Sequence, residues 1–445
     1  MADLFYERRP STPRPTRDSL AFVLALIAAS SMLYFHLGLF LPHAREVRHA
    51  QGLGDGYAFG NDFYPIWLTS RQGLREHRDP YSVEMTRQIQ TGLFGRPLDA
   101  QNPTDQPADY RSFAYPAFID LLFWPMAGAE FPKLRIFLAG LLPLLTACSV
   151  WWWTRALDWR PGAIWLAITV LLTLCNYPVL EALFAEQPGL IVGFFLAGSI
   201  LALRRNRFLS AGILMALTTI KPQMTLLVIL YLLLWSAADW RQRAGFACGF
   251  LGMILVLVSA SLMIWPHWIG AWMNVLFEYH RYSTPPLVTE LLGPMPGIRA
   301  SLVLIAALLG TAILLAWRKR RASVGSLHFW LAISLLLAIT SVTLLPGQAV
   351  YDHIILLPGI LLLLQRWPDF FPRRRVGFAL QGLGAIALFW PSVAAFGLIL
   401  TRSWLAPGHL YSAGILALPI RTAASFPFVV LALLALAARN ASESG

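Results

Sequence analysis

The first long apolar run in the chain covers residues 20–41 and reads LAFVLALIAASSMLYFHLGLFL. It is long enough to cross a bilayer and contains no aspartate, glutamate, lysine or arginine. The run is also too long for the apolar core of a signal peptide, and several arginines precede it. We therefore expect a retained first transmembrane helix with a cytoplasmic N-terminus.

Composition extends this expectation to the whole chain. Of 445 residues, 57% are hydrophobic and 13% are charged, and the mean hydropathy is +0.58. Soluble proteins carry about 25% charged residues, so the chain is predicted to be an all-α polytopic membrane protein. The net charge of +12 is mostly arginine. In such a protein it indicates cytoplasmic loops and contacts with anionic lipid, and we expect no nucleic-acid partner.

Basic loops at 204–207, 241–243, 318–321 and 373–375 predict the orientation, because cytoplasmic loops are rich in arginine and lysine. We expect about 12 transmembrane helices in a single domain, residues 20–439, with cytoplasmic tails at 1–19 and 440–445. Residues 42–112 form a long extracytoplasmic first loop that carries interfacial helices. One apolar segment, 113–130 or part of 178–203, is expected to enter the membrane without crossing it.

The most informative part of the first loop is Gly60-Asn61-Asp62-Phe63-Tyr64-Pro65-Ile66-Trp67, which continues to Asp79-Pro80-Tyr81. Its apolar residues from Phe63 onward recur at helical spacing, while Thr69, Arg71 and Arg75 occupy the other face, so an interfacial helix is predicted. Asp62 has two interpretations. It is a general base at the membrane surface, or it (or Asn61) is an N-cap with Pro65 in the first helical turn.

Further ionisable residues lie at the predicted extracytoplasmic ends of apolar segments. Lys221, in Ile220-Lys221-Pro222, is either a snorkelling lysine at a turn or a cation that faces a lipid phosphate. His353 is either a hydrogen-bonded interface histidine or a functional group, and Asp352 can simply cap a helix. The remaining candidates near this face are His280, Arg281, Glu186 and Gln187.

Several kinds of site are not indicated. The histidines show no metal-binding spacing, and the chain has neither a P-loop nor a glycine-rich phosphate motif, so we expect no metal and no cofactor. Cys148, Cys175 and Cys248 lie far apart in apolar segments and are predicted to be core residues. Asp120, within an apolar segment, has no partner that the sequence reveals.

The ordered set of motifs resembles glycosyltransferase family 87, which includes polyprenyl-phosphate-mannose-dependent mannosyltransferases. The resemblance covers residues 20–400 and rests on Asp62, Asp79-Pro80-Tyr81, Phe113-Ala114-Tyr115-Pro116, Gln187, Ala211-Gly212, Ile220-Lys221-Pro222 and Tyr351-Asp352-His353. One departure is Glu186-Gln187-Pro188-Gly189, where the family often has Gly-Gln-x-Asn. Another is the loop after the eighth apolar segment, which is diverged.

The resemblance implies a GT-C-type membrane bundle with its active site under the first extracytoplasmic loop. It also implies inverting, metal-independent transfer of a sugar, with mannose favoured, from a polyprenyl-phosphate donor to a glycolipid or cell-envelope glycan. The expected location is the bacterial cytoplasmic membrane, with the site facing the periplasm or cell exterior. Asp62 is then the base. Lys221, His353 and Arg281 bind the donor phosphate, and the substrate-binding candidates are Tyr64, Asp79, Tyr81, Glu186, Gln187, Asp352 and His280.

Three other functions remain open from the residues. A secondary transporter or lipid-linked sugar flippase also has many helices, but it is expected to show an internal repeat and charges at mid-membrane in both halves. A polysaccharide polymerase uses similar lipid-linked sugars, but more typically carries its large loop late in the chain. A structural membrane protein needs no convergence of Asp62, Lys221 and His353.

Overall fold

The computed structural model describes residues 15–54, 60–99, 101–102, 105, 112–293, 297–372 and 374–443, and these residues contain helices but no β-strand. The predicted all-helical class is therefore confirmed. The first helices are α1 Pro15–Tyr34, α2 Leu41–Ala50, α3 Tyr64–Arg75, α4 Val83–Phe94, α5 Phe118–Phe123, α6 Phe131–Ala156, α7 Ala163–Cys175, α8 Tyr177–Ala185, α9 Gly189–Arg204, α10 Phe208–Leu217 and α11 Leu226–Ala237. The remaining helices are α12 Trp240–Ile264, α13 Trp268–Tyr282, α14 Leu287–Leu292, α15 Gly297–Lys319, α16 Leu327–Thr343, α17 Leu357–Phe370, α18 Arg374–Thr401, α19 Pro407–Leu410, α20 Ala413–Leu416, α21 Leu418–Ala423 and α22 Phe426–Glu443.

Within the described ranges, seven helical segments are long and apolar enough to cross a membrane. They are Arg17–Ala50, Phe131–Ala156, Trp240–Ile264, Gly297–Lys319, Val350–Phe370, Arg375–Thr401 and Leu418–Ser442. The pair α7 and α8 meets the same criteria together but bends by 61° between its halves. Four apolar helical segments are shorter: Gly189–Arg204, Phe208–Ile220, Leu226–Ala237 and Leu327–Thr343. The chain is thus a membrane protein, and the number of about 12 crossings stays a prediction.

We expected one of two segments, 113–130 or part of 178–203, to enter the membrane without crossing it. The first, 113–130, contains only the six-residue helix α5 and a single 3₁₀ turn at Trp124–Met126, and six helical residues reach only about 9 Å. The second, 178–203, is interrupted between α8 and α9. Both segments are therefore irregular, and α5 is too short to cross on its own.

The first helix is longer than its apolar run. A π-helical turn at Phe35–Phe40 joins α1 to α2. Helical structure therefore continues to Ala50, whereas the apolar run ends at residue 41. Charge does not end a helix, whereas Gly52, with φ of +67°, lies in the left-handed region that ends one. The first nine residues of the predicted loop 42–112 are therefore helical, and the point at which the chain leaves the membrane stays a prediction. Likewise α22 continues to Glu443, into the predicted tail at 440–445.

The first loop folds over the ends of other helices, with α3 and α4 as its helices. The indole N–H of Trp67 donates to the Ala129 carbonyl at 3.0 Å. The indole N–H of Trp265, just after α12, donates to the Arg78 carbonyl at 3.1 Å. These bonds fix α3 and the turn after it against the bundle. The cysteines are free, and Cys248 is exposed on α12, so its predicted core position is wrong.

Candidate functional site

Four polar side chains from distant parts of the sequence form one hydrogen-bonded chain. The Gln187 amide N–H donates to Asp62 Oδ2, and its oxygen accepts from Lys221 Nζ at 3.1 Å. Lys221 Nζ also lies 2.7 Å from each carboxylate oxygen of Asp352. Gln187, Lys221 and Asp352 are buried, while Asp62 is partly exposed. This series of hydrogen bonds therefore leads from a buried ion pair to an accessible carboxylate. We call the four residues Asp62, Gln187, Lys221 and Asp352 the polar chain.

Asp62 reaches this position because its backbone is attached to the end of α8. The backbone N–H groups of Gly60 and Asp62 donate to the carbonyls of Phe184 and Ala185, at 2.9 and 3.1 Å. The last carbonyls of a helix have no partner within it, so the loop satisfies two of them. The N-cap of α3 is Phe63, without a side-chain cap bond. The N-cap interpretation of Asp62 or Asn61 is wrong, although Pro65 does lie in the first turn.

The other members of the polar chain lie at interruptions between helices. Gln187 follows α8, and Lys221 separates the 3₁₀ turns Thr218–Ile220 and Pro222–Met224. A residue before proline avoids the helical conformation. Lys221 accordingly has φ of −128° and ψ of 79°. Non-helical backbone at membrane depth is tolerated where it lines a protein cavity, so these breaks are the expected places for a site.

Asp352 belongs to the 3₁₀ helix Val350–Leu356, whose N-cap is Ala349, and no side chain caps it. The interpretation of Asp352 as a helix cap is therefore wrong. Gly189 makes room for this carboxylate, since a Cβ on Gly189 would lie 2.4 Å from Asp352 Oδ1. Lys221 Nζ lies 5.0 Å from the ring centroid of Tyr351, which adds a cation–π contact. The ion pair is thus enclosed by close packing.

His353 is buried next to Asp352 in the same 3₁₀ helix. Its Nδ1 atom makes no hydrogen bond within the described part of the chain. The interpretation of His353 as a hydrogen-bonded interface histidine is therefore not supported at that atom. His353 is therefore linked to the polar chain only by its position next to Asp352 in the sequence, and no hydrogen bond among the described residues joins them.

Glu186 is fully buried beside Gln187 and adopts a left-handed backbone with φ of +53°. Neither of its carboxyl oxygens has a hydrogen-bond partner within the described ranges. Gly60 packs directly against it, because a Cβ there would lie 2.5 Å from Glu186 Oε2 and 3.0 Å from Arg135 Cδ. The Glu186 carboxyl group therefore lies next to the loop that carries Asp62, with Arg135 nearby.

Three candidates of the first loop lie in other surroundings. The Tyr64 hydroxyl points at Gly92 of α4, where a Cβ would lie only 2.0 Å away. The exposed Asp79 accepts from the Tyr81 backbone N–H at 2.9 Å, and this turn precedes α4. The Tyr81 hydroxyl donates to the Tyr115 carbonyl at 2.8 Å. These contacts organise the loop, and among the described residues none of the three is hydrogen-bonded to the polar chain.

His280 and Arg281 lie at the end of α13, and their side chains are outside the described residues. Metal binding has no candidate among the residues described, because no three His, Cys, Asp or Glu side chains are grouped to hold an ion. The polar chain itself contains only two carboxylates, and one of them is engaged by Lys221.

Asp120 on α5, for which the sequence revealed no partner, is a further buried carboxyl group. Its Oδ1 accepts from Thr69 Oγ1 at 2.9 Å and from Ser70 Oγ at 3.1 Å. Thr69 was predicted to lie on the polar face of α3, but it is buried. Burial raises the pKa of Asp120 to about 8, against the lowering effect of the two hydroxyls. The sequence did contain an indication of such partners, because an acidic residue in an apolar segment requires polar groups around it.

Chemically, the polar chain can accept a proton at one end and hold positive charge at the other. Asp62 is accessible and orientated by Gln187, as a general base must be. Lys221 provides the charge, and Asp352 stabilises it in a buried position. Buried charges that are paired and hydrogen-bonded in this way occur at functional sites and also in structural networks.

The comparison with protein families identifies the enzyme class. Residues 113–346, more than half of the chain, match the model of glycosyltransferase family 87. The match includes Gln187 and Lys221, whereas Asp62 and Asp352 lie outside it. No curated protein matches the chain. The chain belongs to glycosyltransferase family 87 and is therefore a glycosyltransferase of the membrane.

Proposed function

We propose that this enzyme transfers a sugar, with mannose favoured, from a polyprenyl-phosphate donor to a glycolipid or cell-envelope glycan acceptor. The reaction takes place at the extracytoplasmic face of the bacterial cytoplasmic membrane and inverts the anomeric configuration. The observation that carries the proposal is the polar chain, because it joins an accessible carboxylate to a buried cation at the breaks between apolar helices.

Asp62 acts as the base. It accepts the proton of the acceptor hydroxyl while that oxygen bonds to the anomeric carbon. The bond between this carbon and the phosphate oxygen breaks at the same time, and its electron pair leaves with the polyprenyl phosphate. Because a phosphate is stable as an anion, the leaving group requires no general acid. The hydrogen bond from Gln187 supports this role, since it fixes the orientation of the Asp62 carboxylate.

Lys221 stabilises the negative charge of the departing phosphate. Its ammonium group has three N–H donors, and three acceptor atoms of Asp352 and Gln187 lie within hydrogen-bond distance. A phosphate that binds Lys221 therefore replaces one of these acceptors. Asp352 keeps the lysine in place during the exchange. His353 and Arg281 are the further phosphate ligands in this proposal.

Glu186 binds a hydroxyl group of the sugar. A buried carboxyl group without a hydrogen-bond partner is costly, by about 1–3 kcal/mol or more. Neither oxygen of Glu186 has such a partner within the described residues, and the group lies against Gly60, two residues before Asp62. A sugar hydroxyl at this position would satisfy the carboxyl group and hold the sugar beside the base.

The test is sugar transfer by the purified protein in lipid, with a series of polyprenyl-phosphate sugars and a membrane glycolipid extract. Wild type is compared with Asp62→Asn and with Glu76→Gln, a matched removal of an exposed carboxylate in the same loop. We expect Asp62→Asn to reduce transfer by about 10²-fold or more, since it removes the base and keeps the shape, and Glu76→Gln to retain it.

Two results would contradict the proposal in different ways. Undiminished transfer by Asp62→Asn would move the base elsewhere, with Glu186 and Asp352 as the next carboxylates to test. Transfer by the wild type from a nucleotide sugar, with none from any polyprenyl-phosphate sugar, would exclude the proposed donor class.

A further inference from the structure

A second polar site lies at the opposite ends of two helices that border the polar chain. A cavity of about 480 Å³ opens between the C-terminal ends of α6 and α9. Five charged residues line it: Arg155, Asp158, Arg160, Arg204 and Arg205. None of these residues takes part in the polar chain described above.

The cavity carries an excess of positive charge. Arg204 Nη2 is paired with Asp158 Oδ2, the only acid among its lining residues. Within the described ranges, Arg155, Arg160 and Arg205 make no ion pair, and all three are exposed. Three guanidinium groups thus share one cavity without an acidic partner, which favours an anionic ligand.

The helices place this cavity about one bilayer thickness from the polar chain. On α6, Arg135 lies near Glu186, and Arg155 follows 20 residues later, or about 30 Å along a helix. On α9, Gly189 contacts Asp352, and Arg204 follows about 22 Å further along. Since α6 is long enough to cross a bilayer, its last turn is expected at the membrane boundary.

The wall of the cavity also has apolar parts that suit a lipid. Trp151 is 41% exposed at the end of α6, and the Arg155 guanidinium lies 5.6 Å from its ring centroid. Tryptophan at the end of a membrane-spanning helix is typical of the headgroup region. Leu201, one turn before Arg205, completes the lining. Arginines and apolar residues are therefore combined at the depth where phospholipid headgroups lie.

We propose that this cavity binds the phosphate of an anionic phospholipid headgroup, as a site separate from that of the sugar donor. One guanidinium group can donate hydrogen bonds to two phosphate oxygens at once. Basic pockets between transmembrane helices bind anionic lipids. Inorganic phosphate offers the same anionic group without acyl chains. A lipid differs from it because the chains also contact Trp151 and Leu201.

The experiment measures lipid binding to the purified full chain by native mass spectrometry, with short-chain phosphatidylglycerol, short-chain phosphatidylcholine and inorganic phosphate as probes. The variant Arg155→Gln with Arg205→Gln is compared with Arg241→Gln with Arg375→Gln. The control pair removes the same charge from exposed positions outside the cavity.

We expect phosphatidylglycerol to bind wild type and control, and to bind the cavity variant about tenfold or more weakly, because two charge-assisted hydrogen-bond donors are lost. Phosphatidylcholine is expected to bind none of the three proteins specifically. Arg160→Gln provides a second variant at an exposed loop position if the double variant does not fold. Equal loss in the control pair, or full displacement of the lipid by inorganic phosphate, would overturn the proposal.

Discussion

Gln187 lies between groups of opposite charge, and its amide satisfies both in only one orientation. Its N–H faces the Asp62 carboxylate, and its oxygen faces the Lys221 ammonium. The reverse orientation would direct like partial charges at each other, so the two neighbours determine how the amide points. A change in the ion pair of Lys221 and Asp352 is thereby transmitted to the proposed base.

Substitutions of Lys221 and Asp352 can separate an effect on folding from an effect on function. Lys221→Met leaves the buried Asp352 carboxylate without its cation, so we expect a loss of about 3–5 kcal/mol in stability. Adding Asp352→Asn removes the unpaired charge and should restore most of that loss. Thermal unfolding in detergent measures both variants, and a double variant no more stable than the single one would show that the pair is not coupled.

The same double variant also tests the phosphate site. We expect it to bind polyprenyl phosphate more weakly than the wild type, because the ammonium group is absent while the fold is retained. If this stable variant bound polyprenyl phosphate normally, Lys221 would not be a phosphate ligand, and only its positioning of Gln187 would remain.

The buried carboxyl group of Asp120 makes the stability of the protein dependent on pH. Its pKa is raised to about 8 by burial, from an ordinary value of 3.8. Between these values the folded protein retains the proton and the unfolded chain does not, so stability falls as pH rises from about 4 to 8, by up to about 1.4 kcal/mol per unit. Asp120→Asn removes this titration. We expect its melting temperature to fall less than that of the wild type between pH 5 and pH 8, and identical pH dependence would contradict the burial of an ionisable carboxyl group.

At the scale of helices, glycines allow α10 and α12 to approach closely. A Cβ on Gly212 would lie 2.1 Å from the Phe246 carbonyl oxygen, and one on Gly249 would lie 2.2 Å from that of Leu209. Gly245 and Gly249 form the G-x-x-x-G spacing by which membrane helices pack at short distance. Because α10 leads directly to the turn of Lys221, this packing also supports the site.

We therefore predict that Gly212→Ala destabilises the protein by about 1–3 kcal/mol, since backbone atoms must move to admit the methyl group. The matched control is Gly252→Ala on α12, where no atom lies within 4 Å of the added Cβ. Alanine should be tolerated there and can even favour the helix by about 1 kcal/mol. Equal melting temperatures for the two variants would exclude the close helix contact.

At the scale of the whole molecule, the polar chain and the arginine-lined cavity occupy opposite ends of α6 and α9. The basic loops predict that the arginine end is cytoplasmic, which makes the polar chain extracytoplasmic. This orientation agrees with a donor whose lipid phosphate is presented outside the cytoplasm. It remains a prediction about the protein in its membrane.

Cysteine labelling tests that orientation. In a variant without the three native cysteines, Arg321→Cys should react with an impermeant maleimide only when the cytoplasmic face is open. Gln348→Cys, just before the 3₁₀ helix of Asp352, should react in intact cells or spheroplasts. Both residues are exposed in the structure. The reverse pattern would place the polar chain on the cytoplasmic side and would contradict the proposed location.

The class of the protein and many of its candidate residues follow from local features of the amino-acid chain. Long apolar runs predict helices because backbone polar groups in a bilayer must be satisfied within each segment, and this requirement is local. Breaks at Pro188 and Pro222 are likewise local, since proline restricts the residue before it. The resemblance to family 87, confirmed over residues 113–346, came from motifs that can be read in order along the chain.

Which of these residues contact one another depends on the fold. Asp62, Gln187, Lys221 and Asp352 come from four separate segments, and their hydrogen bonds depend on how α8, α9 and α10 pack. The same holds for Asp120, whose partners on α3 lie about fifty positions away along the chain. Hydrophobic patterns specify that a segment is buried but not its neighbours, because many packings satisfy the same pattern. Contact between polar groups selects among those packings, and it exists only in the folded protein.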